Sequence, residues 1–140
     1  MIDTAKAPYA AFLLRVSIGI LFILHGVYLK AFIFTMDGTV KVFAALGLPG
    51  WWAWVVMLYE TIFGVMLILG MYVRGIAAVL GIHLLFVAVL GHGSVGWMFA
   101  SKGGGYEFPV FWAIACFALA LIGEGAWSVR VGSVGKSEAD

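Results

Sequence analysis

Residues 8–29, PYAAFLLRVSIGILFILHGVYL, decide the fold class of this protein. They supply about the 20 apolar residues that a helix needs to cross the hydrocarbon core of a bilayer. The run is too long for the apolar region of a secretory signal, and it carries Arg15 in its interior. Pro8 suits a first helical turn, where its missing N–H group is not needed. The stretch therefore predicts a retained first membrane-spanning helix.

The composition of the whole chain is typical of an integral membrane protein. Of its 140 residues, 64% are hydrophobic and 11% are charged, and the mean hydropathy is +1.11. About 25% of the residues of an ordinary soluble domain are charged. A chain of this length has room for one domain and about four spans. The formal net charge of +1 gives no reason to expect nucleic acid as a partner, and the single Cys116 leaves the redox compartment open.

The apolar runs predict an all-α fold, namely a four-helix transmembrane bundle in one domain over residues 1–140. Between the first two spans, residues 37–47 have the pattern of a short amphipathic helix, with an Asp or Thr cap at the start and Gly at the end. We expect this helix to lie in the membrane interface. The predicted spans are about 8–29, 51–72, 75–91 and 107–126, followed by a polar C-terminal tail at 128–140.

The distribution of Lys and Arg predicts the orientation. The side with both termini and the turn between the second and third spans carries slightly more positive residues than the opposite side, which favours both termini in the cytoplasm. On the first side are Lys6, Arg74, Arg130 and Lys136, and on the other are Lys30, Lys41 and Lys102.

Three ionisable residues, Arg15, Glu60 and His83, lie well inside three different apolar runs. Such groups are expensive in hydrocarbon and usually face a partner inside the protein. Counting about 1.5 Å of rise per residue from the predicted span ends puts all three in the middle layer of the membrane. Arg15 stays charged and most needs an acidic partner. We therefore expect one buried cluster in which Arg15 pairs with Glu60.

A second polar group is predicted nearer the outer face, where His25, Lys30, His92 and Glu107 lie at or near the ends of three predicted spans. All four lie beneath the glycine-rich connection at 91–106. They would form a polar vestibule that opens outward.

The three histidines raise the question of a haem or another metal. His25 and His83 differ in predicted depth by about 6 Å, and His83 and His92 lie on opposite sides of an ideal helix. Axial ligands must approach one iron at a similar depth. We therefore predict neither haem nor another metal site.

Several segments, in order, resemble the DoxX family of small bacterial membrane proteins. The resemblance implies a four-helix bundle in the bacterial inner membrane and a setting in quinone-linked redox chemistry, since the name-giving relatives are subunits of a thiosulfate:quinone oxidoreductase. It implies a quinone as ligand and an oxidoreductase subunit as protein partner. The matching segments are LLRVSIGILFILHG at 13–26 with Lys30, GLP at 47–49, ETIFGVMLILG at 60–70 with RGIAA at 74–78, GYE at 105–107, and GEG at 123–125 with Ser128.

The resemblance carries over no catalytic residue, so the candidates are residues for ligand binding. Arg15, His25, Lys30, Glu60 and Glu107 match the family pattern, and His83 comes from the residues alone. The sequence leaves open whether the buried cluster is a structural ion pair, a quinone site or a proton relay.

Three classes of function remain open at this stage. The chain could be a redox subunit, a non-catalytic membrane anchor or assembly factor, or a small-solute transporter acting as a homo-oligomer. It has no recognisable flavin, iron–sulfur or CxxC signature, so we do not expect it to be catalytic alone. We favour the redox subunit.

Overall fold

The computed structural model describes residues 3–129, and every regular element in that part of the chain is helical. This confirms the all-α prediction for the described residues. The polar tail at 128–140, with the Arg130 and Lys136 used for the orientation, lies almost wholly outside them. The elements are α1 Ala7–Ile23, a π-helical segment Leu24–Ile33 that continues α1 without a break, α2 Met36–Ala45, α3 Trp52–Leu69, α4 Val73–His92 and α5 Glu107–Ile122.

Three helices of the described chain are long and apolar enough to cross a membrane. They are Ala7–Ile33, Trp52–Leu69 and Val73–His92. The apolar α5 has 16 residues and is about 24 Å long, which is shorter than a core of about 30 Å. Helices of this composition imply contact with the lipid bilayer and a multi-pass membrane protein.

The first long helix changes its hydrogen-bond pattern near its middle. It has a proline in its first turn, as predicted, and it follows α-helical geometry as far as Ile23. From Leu24 to Ile33 it is a π-helix, in which N–H groups bond to carbonyls five residues back. At its end the Phe34 N–H donates to the Leu29 carbonyl at 2.9 Å. The helix therefore extends about one turn past the predicted span end at residue 29.

Two glycines set the register between α1 and α3, which run antiparallel. A Cβ atom on Gly19 would lie 2.6 Å from the Gly64 carbonyl oxygen, and a Cβ atom on Gly64 would lie 2.7 Å from the Gly19 carbonyl oxygen. No larger residue fits at either position without a shift. Small residues that let helix backbones approach closely are the usual basis of helix packing in lipid.

The helices associate as two closely packed pairs, α1 with α3 and α4 with α5. In the second pair, Gly81 of α4 lies against the ring of Phe117. Fully buried apolar side chains fill the space between the pairs, among them Phe22, Leu67, Leu80 and Leu119. The surface between the two pairs, which we call the seam, is where the functional candidates gather.

The short helix α2 packs against the π-segment and α3. Its first turn is capped by Thr35, whose Oγ1 accepts from the Gly38 N–H at 3.3 Å. The hydroxyl of Thr39 is buried and donates to the Lys30 carbonyl at 2.9 Å. These contacts hold α2 close to the position of Lys30.

Candidate functional site

Lys30, Glu60 and His83 form one connected group, which we call the Glu60 cluster. The Lys30 ammonium lies 2.5 Å from Glu60 Oε2, and His83 Nε2 lies 2.9 Å from Glu60 Oε1. Glu60 itself is 4% exposed. Each carboxylate oxygen thus has one nitrogen partner, and three different helical elements are joined inside the apolar part of the protein.

The register of α1 and α3 explains why Lys30 reaches Glu60. Gly26 lies against Thr61 and Met57, so the first half of α3 is level with the π-segment. Lys30 lies one turn beyond Gly26 on a long flexible side chain. Its ammonium donates to Glu60 and also to the His25 carbonyl at 2.8 Å. The cation therefore bridges the π-segment and α3.

The predicted pairing of Arg15 with Glu60 is wrong. Arg15 lies four residues before Gly19, and Glu60 lies four residues before Gly64. Because the two helices are antiparallel, these positions fall on opposite sides of the Gly19–Gly64 contact, about 12 Å apart along the helix axis. The carboxylate pairs instead with Lys30, which the sequence had placed in a separate outer group. Arg15, Glu60 and His83 therefore do not form the single mid-membrane layer that the sequence predicts, because Arg15 lies apart from the other two.

Arg15 is fully buried and is held by backbone carbonyls, an arrangement we call the arginine clamp. One guanidinium nitrogen donates to the carbonyls of Leu67, at 3.0 Å, and Ile68. The other donates to the carbonyls of Ala126 and Trp127, each at 2.8 Å. Within residues 3–129 it makes no salt bridge, and its Nε has no partner.

The location of the clamp explains how a charge is tolerated without an acidic partner. The last carbonyls of α3 lack partners within their own helix, and the C-terminal end of a helix dipole is negative. A cation there is favourable. The clamp also fixes the segment after α5, where the Ala126 N–H donates to the Pro8 carbonyl and the Val129 N–H to the Leu69 carbonyl, both at 2.9 Å. The arrangement is structural.

His83 of α4 is hydrogen-bonded to Glu60 of α3 and so links the two helices. Its ring also meets the ring of Tyr59 edge to face, with centroids 5.2 Å apart. Both contacts orient the imidazole across the seam from α4 to α3. A proton relay between His83 and Glu60 stays a prediction, and the contact required for it is present.

The predicted outer vestibule is not one site, because its four members have separate partners. His25 Nδ1 lies 2.9 Å from the Leu21 carbonyl of its own helix. His92 Nδ1 lies 2.6 Å from the Gly104 carbonyl, and Glu107 accepts from the Phe99 N–H at 2.7 Å. Lys30 belongs to the Glu60 cluster. His92 and Glu107 thus order the connection between α4 and α5.

Trp112 is a polar residue in the seam that the sequence reasoning missed. It is 5% exposed, and its Nε1 has no hydrogen-bond partner within residues 3–129. Its ring packs against His25, with centroids 5.0 Å apart, and against Phe22 at 4.4 Å. A tryptophan in the middle of an apolar run, away from the span ends where aromatic belts lie, was the available signal.

An apolar groove of about 480 Å³ runs along α5 beside this region. Phe108 belongs to its wall and also lies against both His25 and Trp112. The lining residues are Trp97, Phe99, Glu107, Phe108, Val110, Phe111 and Ile114.

The chemistry available at the Glu60 cluster is hydrogen bonding and proton exchange. An ammonium has three N–H donors, and Lys30 uses two of them within residues 3–129. The third can meet a carbonyl oxygen of a ligand such as a quinone, so the donor set fits that group. Across the same residues no three His, Cys, Asp or Glu side chains gather in a metal-binding arrangement.

Comparison with known families gives one match. Residues 10–93, more than half of the chain, match the family model described as DoxX. The matched part contains Arg15, His25, Lys30, Glu60 and His83, whereas Glu107 lies beyond it. No match is found among curated proteins or among solved structures.

Proposed function

This chain belongs to the DoxX family, and we propose on that basis that it is an integral membrane subunit associated with quinone-linked redox chemistry. It would act with an oxidoreductase partner and bind a quinone among its helices, in a bacterial inner membrane with both termini in the cytoplasm. The observation that supports the proposal most strongly is the Glu60 cluster. Ionisable side chains that meet inside a membrane are costly and commonly mark ligand sites or proton pathways.

The proposed architecture has four crossing helices. Although α5 is short, its C-terminal carbonyls are bonded by Arg74 of α4, which donates to Ala120, Leu121 and Ile122. In the proposal α5 ends at the membrane surface, where these donors satisfy its last carbonyls. In this arrangement α2 lies in the interface, with its exposed Lys41 toward water.

Each residue of the Glu60 cluster has a separate task in the proposal. The unused donor of Lys30 binds a quinone carbonyl oxygen, and the His25 carbonyl holds the ammonium in place. Glu60 fixes Lys30 and His83, and its carboxylate is the group that accepts or delivers a proton. His83 links that carboxylate to α4. A bound quinone supplies the capacity to take up two electrons and two protons, and the partner protein supplies the electrons.

The decisive experiment measures quinone binding by the purified protein. We expect the protein in mild detergent to release a quinone on solvent extraction and to bind ubiquinone-1 in a titration. Lys30→Gln and Glu60→Gln should each weaken ubiquinone-1 binding at least about tenfold, because each removes a hydrogen bond that involves a charged group.

The chain offers matched controls for both substitutions. Lys41→Gln changes an exposed lysine of α2, and Asp37→Asn changes an exposed carboxylate of the same helix. Both controls should bind ubiquinone-1 as the unmodified protein does. A protein that releases no quinone and does not bind ubiquinone-1 would overturn the proposed function. If the control and cluster variants lost ubiquinone-1 binding equally, the Glu60 cluster would not be part of the quinone site.

A further inference from the structure

His25 carries a hydrogen-bond acceptor beside Trp112, since the two ring centroids are 5.0 Å apart. Its Nδ1 lies 2.9 Å from the Leu21 carbonyl oxygen, which can only accept. Nδ1 must therefore carry the hydrogen, and in the neutral imidazole Nε2 then carries the lone pair. Within residues 3–129, Nε2 makes no hydrogen bond. The orientation of His25 is thus set by its own helix, while its acceptor remains available.

Trp112 presents the complementary donor. The indole Nε1–H can only donate, and it is buried without an acceptor within the part of the chain that the structure describes. Native proteins rarely leave a buried donor unpaired, because the group loses its hydrogen bond to water on burial. The unpaired N–H therefore points to a ligand group that accepts a hydrogen bond here.

The two groups lie beside the apolar groove. The ring centroids of His25 and Trp112 are 5.0 Å apart, and Phe108 lies 6.5 Å from the first ring and 5.8 Å from the second. Phe108 is also part of the groove wall. Neither His25 nor Trp112 lines the groove, and the Phe108 ring lies between the groove and the polar pair. A ring-bearing amphiphile that enters from lipid along α5 would reach the polar pair if the Phe108 ring turned aside.

A hydroxyl group fits one acceptor beside one donor, since it donates through its hydrogen and accepts through its oxygen. A carbonyl oxygen can pair with Trp112 only and leaves His25 unpaired. We infer that His25 and Trp112 form a subsite for the phenolic hydroxyl of a quinol. This inference rests on the proposed function and deepens it: the Glu60 cluster binds the carbonyl of the oxidised ligand, and the His25–Trp112 subsite selects the reduced one.

The test compares two ligands that differ in one property. Under anaerobic conditions, ubiquinol-1 should bind the purified protein about fivefold to tenfold more tightly than its dimethyl ether, which can accept but cannot donate. His25→Phe removes the acceptor and should bring the two affinities close together, whereas Trp112→Phe removes a donor that both ligands can use and should weaken the binding of both. Trp54→Phe, which changes an exposed tryptophan of α3, is the matched control and should keep the full preference.

A spectroscopic measurement on the unmodified sequence does not depend on how the variants fold. In protein labelled with ¹⁵N at the tryptophan indoles, the resonance absent from Trp112→Phe belongs to Trp112. It should shift on addition of ubiquinol-1. The effect of the dimethyl ether at equal saturation should be smaller.

The outcomes separate this inference from the proposed function. If ubiquinone-1 binds and depends on Glu60, but ubiquinol-1 shows no preference over its ether, the subsite is overturned and the proposed function stands. An unshifted Trp112 resonance, or a preference that survives His25→Phe, overturns the subsite as well. If neither ubiquinone-1 nor ubiquinol-1 binds, both proposals fail together.

Discussion

The arginine clamp and the Glu60 cluster satisfy a buried cation in opposite ways. Arg15 donates to four main-chain carbonyls, from Leu67 and Ile68 at the end of α3 and from Ala126 and Trp127. Lys30 pairs with a carboxylate that is itself shared with His83. Both cations belong to the same long apolar helix.

The two regions differ in whether a substitution can remove the partners of the cation. A side-chain partner can be replaced along with the cation, so an apolar version of the Glu60 cluster is conceivable. Main-chain carbonyls remain after any substitution, and four of them would lose their bond to the guanidinium if Arg15 were replaced, although Leu67 would keep its bond from the Gly70 N–H. A membrane protein can therefore dispense with the stability contribution of the cluster but not with that of the clamp. This favours a functional reason for the cluster.

The largest effect is expected for Arg15→Met. Within residues 3–129 the substitution leaves the carbonyls of Ile68, Ala126 and Trp127 without the donor that Arg15 supplies, and we expect the free energy of unfolding to fall by at least about 3 kcal/mol. SDS-induced unfolding in mixed micelles measures the loss. Arg15→Lys keeps the charge but loses the two-pronged geometry and should lie between. A loss below about 1 kcal/mol for Arg15→Met would contradict the structural role of the clamp.

Glu60→Gln should lower the free energy of unfolding less than Arg15→Met does. It should weaken ligand binding more than substitutions of Arg15 do. The amide keeps the shape of the side chain, but it leaves the Lys30 ammonium without an anionic partner. We expect a decrease of about 1–3 kcal/mol in the same unfolding assay. Binding of ubiquinone-1 per folded molecule should fall in this variant, whereas it should persist in the folded fraction of Arg15→Lys. If ubiquinone-1 binding persisted in Glu60→Gln and was lost in Arg15→Lys, the clamp and not the Glu60 cluster would be the ligand site.

Arg74→Met should have a smaller effect than Arg15→Met. Arg74 also bonds the carbonyls at a helix end, that of α5, but its hydrogen bonds are exposed. We expect a decrease of about 1 kcal/mol, because water can replace an exposed donor. The difference between the free energies of unfolding of Arg74→Met and Arg15→Met measures how much burial strengthens the contact of an arginine with carbonyls at a helix end. Equal losses would show that burial is not the deciding difference.

The smallest change in stability is expected when the whole cluster is replaced. In the triple variant Lys30→Met, Glu60→Met and His83→Phe, no charged side chain of the cluster is left without its partner, and only the His25 carbonyl loses its bond from Lys30. Apolar replacement of a buried ionic group is often neutral or stabilising. We expect the free energy of unfolding to lie within about 1 kcal/mol of that of the unmodified protein. Ubiquinone-1 binding should be abolished. A triple variant as unstable as Arg15→Met would make the Glu60 cluster structural.

The sequence was sufficient to find the residues that matter but not their partners. Arg15, Glu60 and His83 stand out because an ionisable residue in an apolar run is costly at any depth, and each proves to have specific partners. The register between helices is a tertiary property, set here by Gly19 against Gly64. Depth counting from estimated span ends could not supply it.

Three further differences have definite physical causes. Lys30 was placed at a span end, but the helix continues as a π-helix to Ile33, which brings the lysine inside. The partners of Arg15 are carbonyls, which every residue carries, so no residue type in the sequence marks them. Trp112 was passed over because an indole counts as apolar in hydropathy while it keeps a donor that needs a partner.

The contacts of Arg15 also bear on the order in which the protein is made. Two of its four acceptors lie 111 and 112 residues further along the chain, at Ala126 and Trp127. At about 5–20 residues per second, a ribosome needs roughly 6–20 s to reach them after it has made Arg15. During that interval the first helix carries a cation whose native partners are only partly synthesised. The clamp can therefore close only after Trp127 has been made, and a nascent chain that stalls earlier would keep a cation in its first helix without two of its four acceptors.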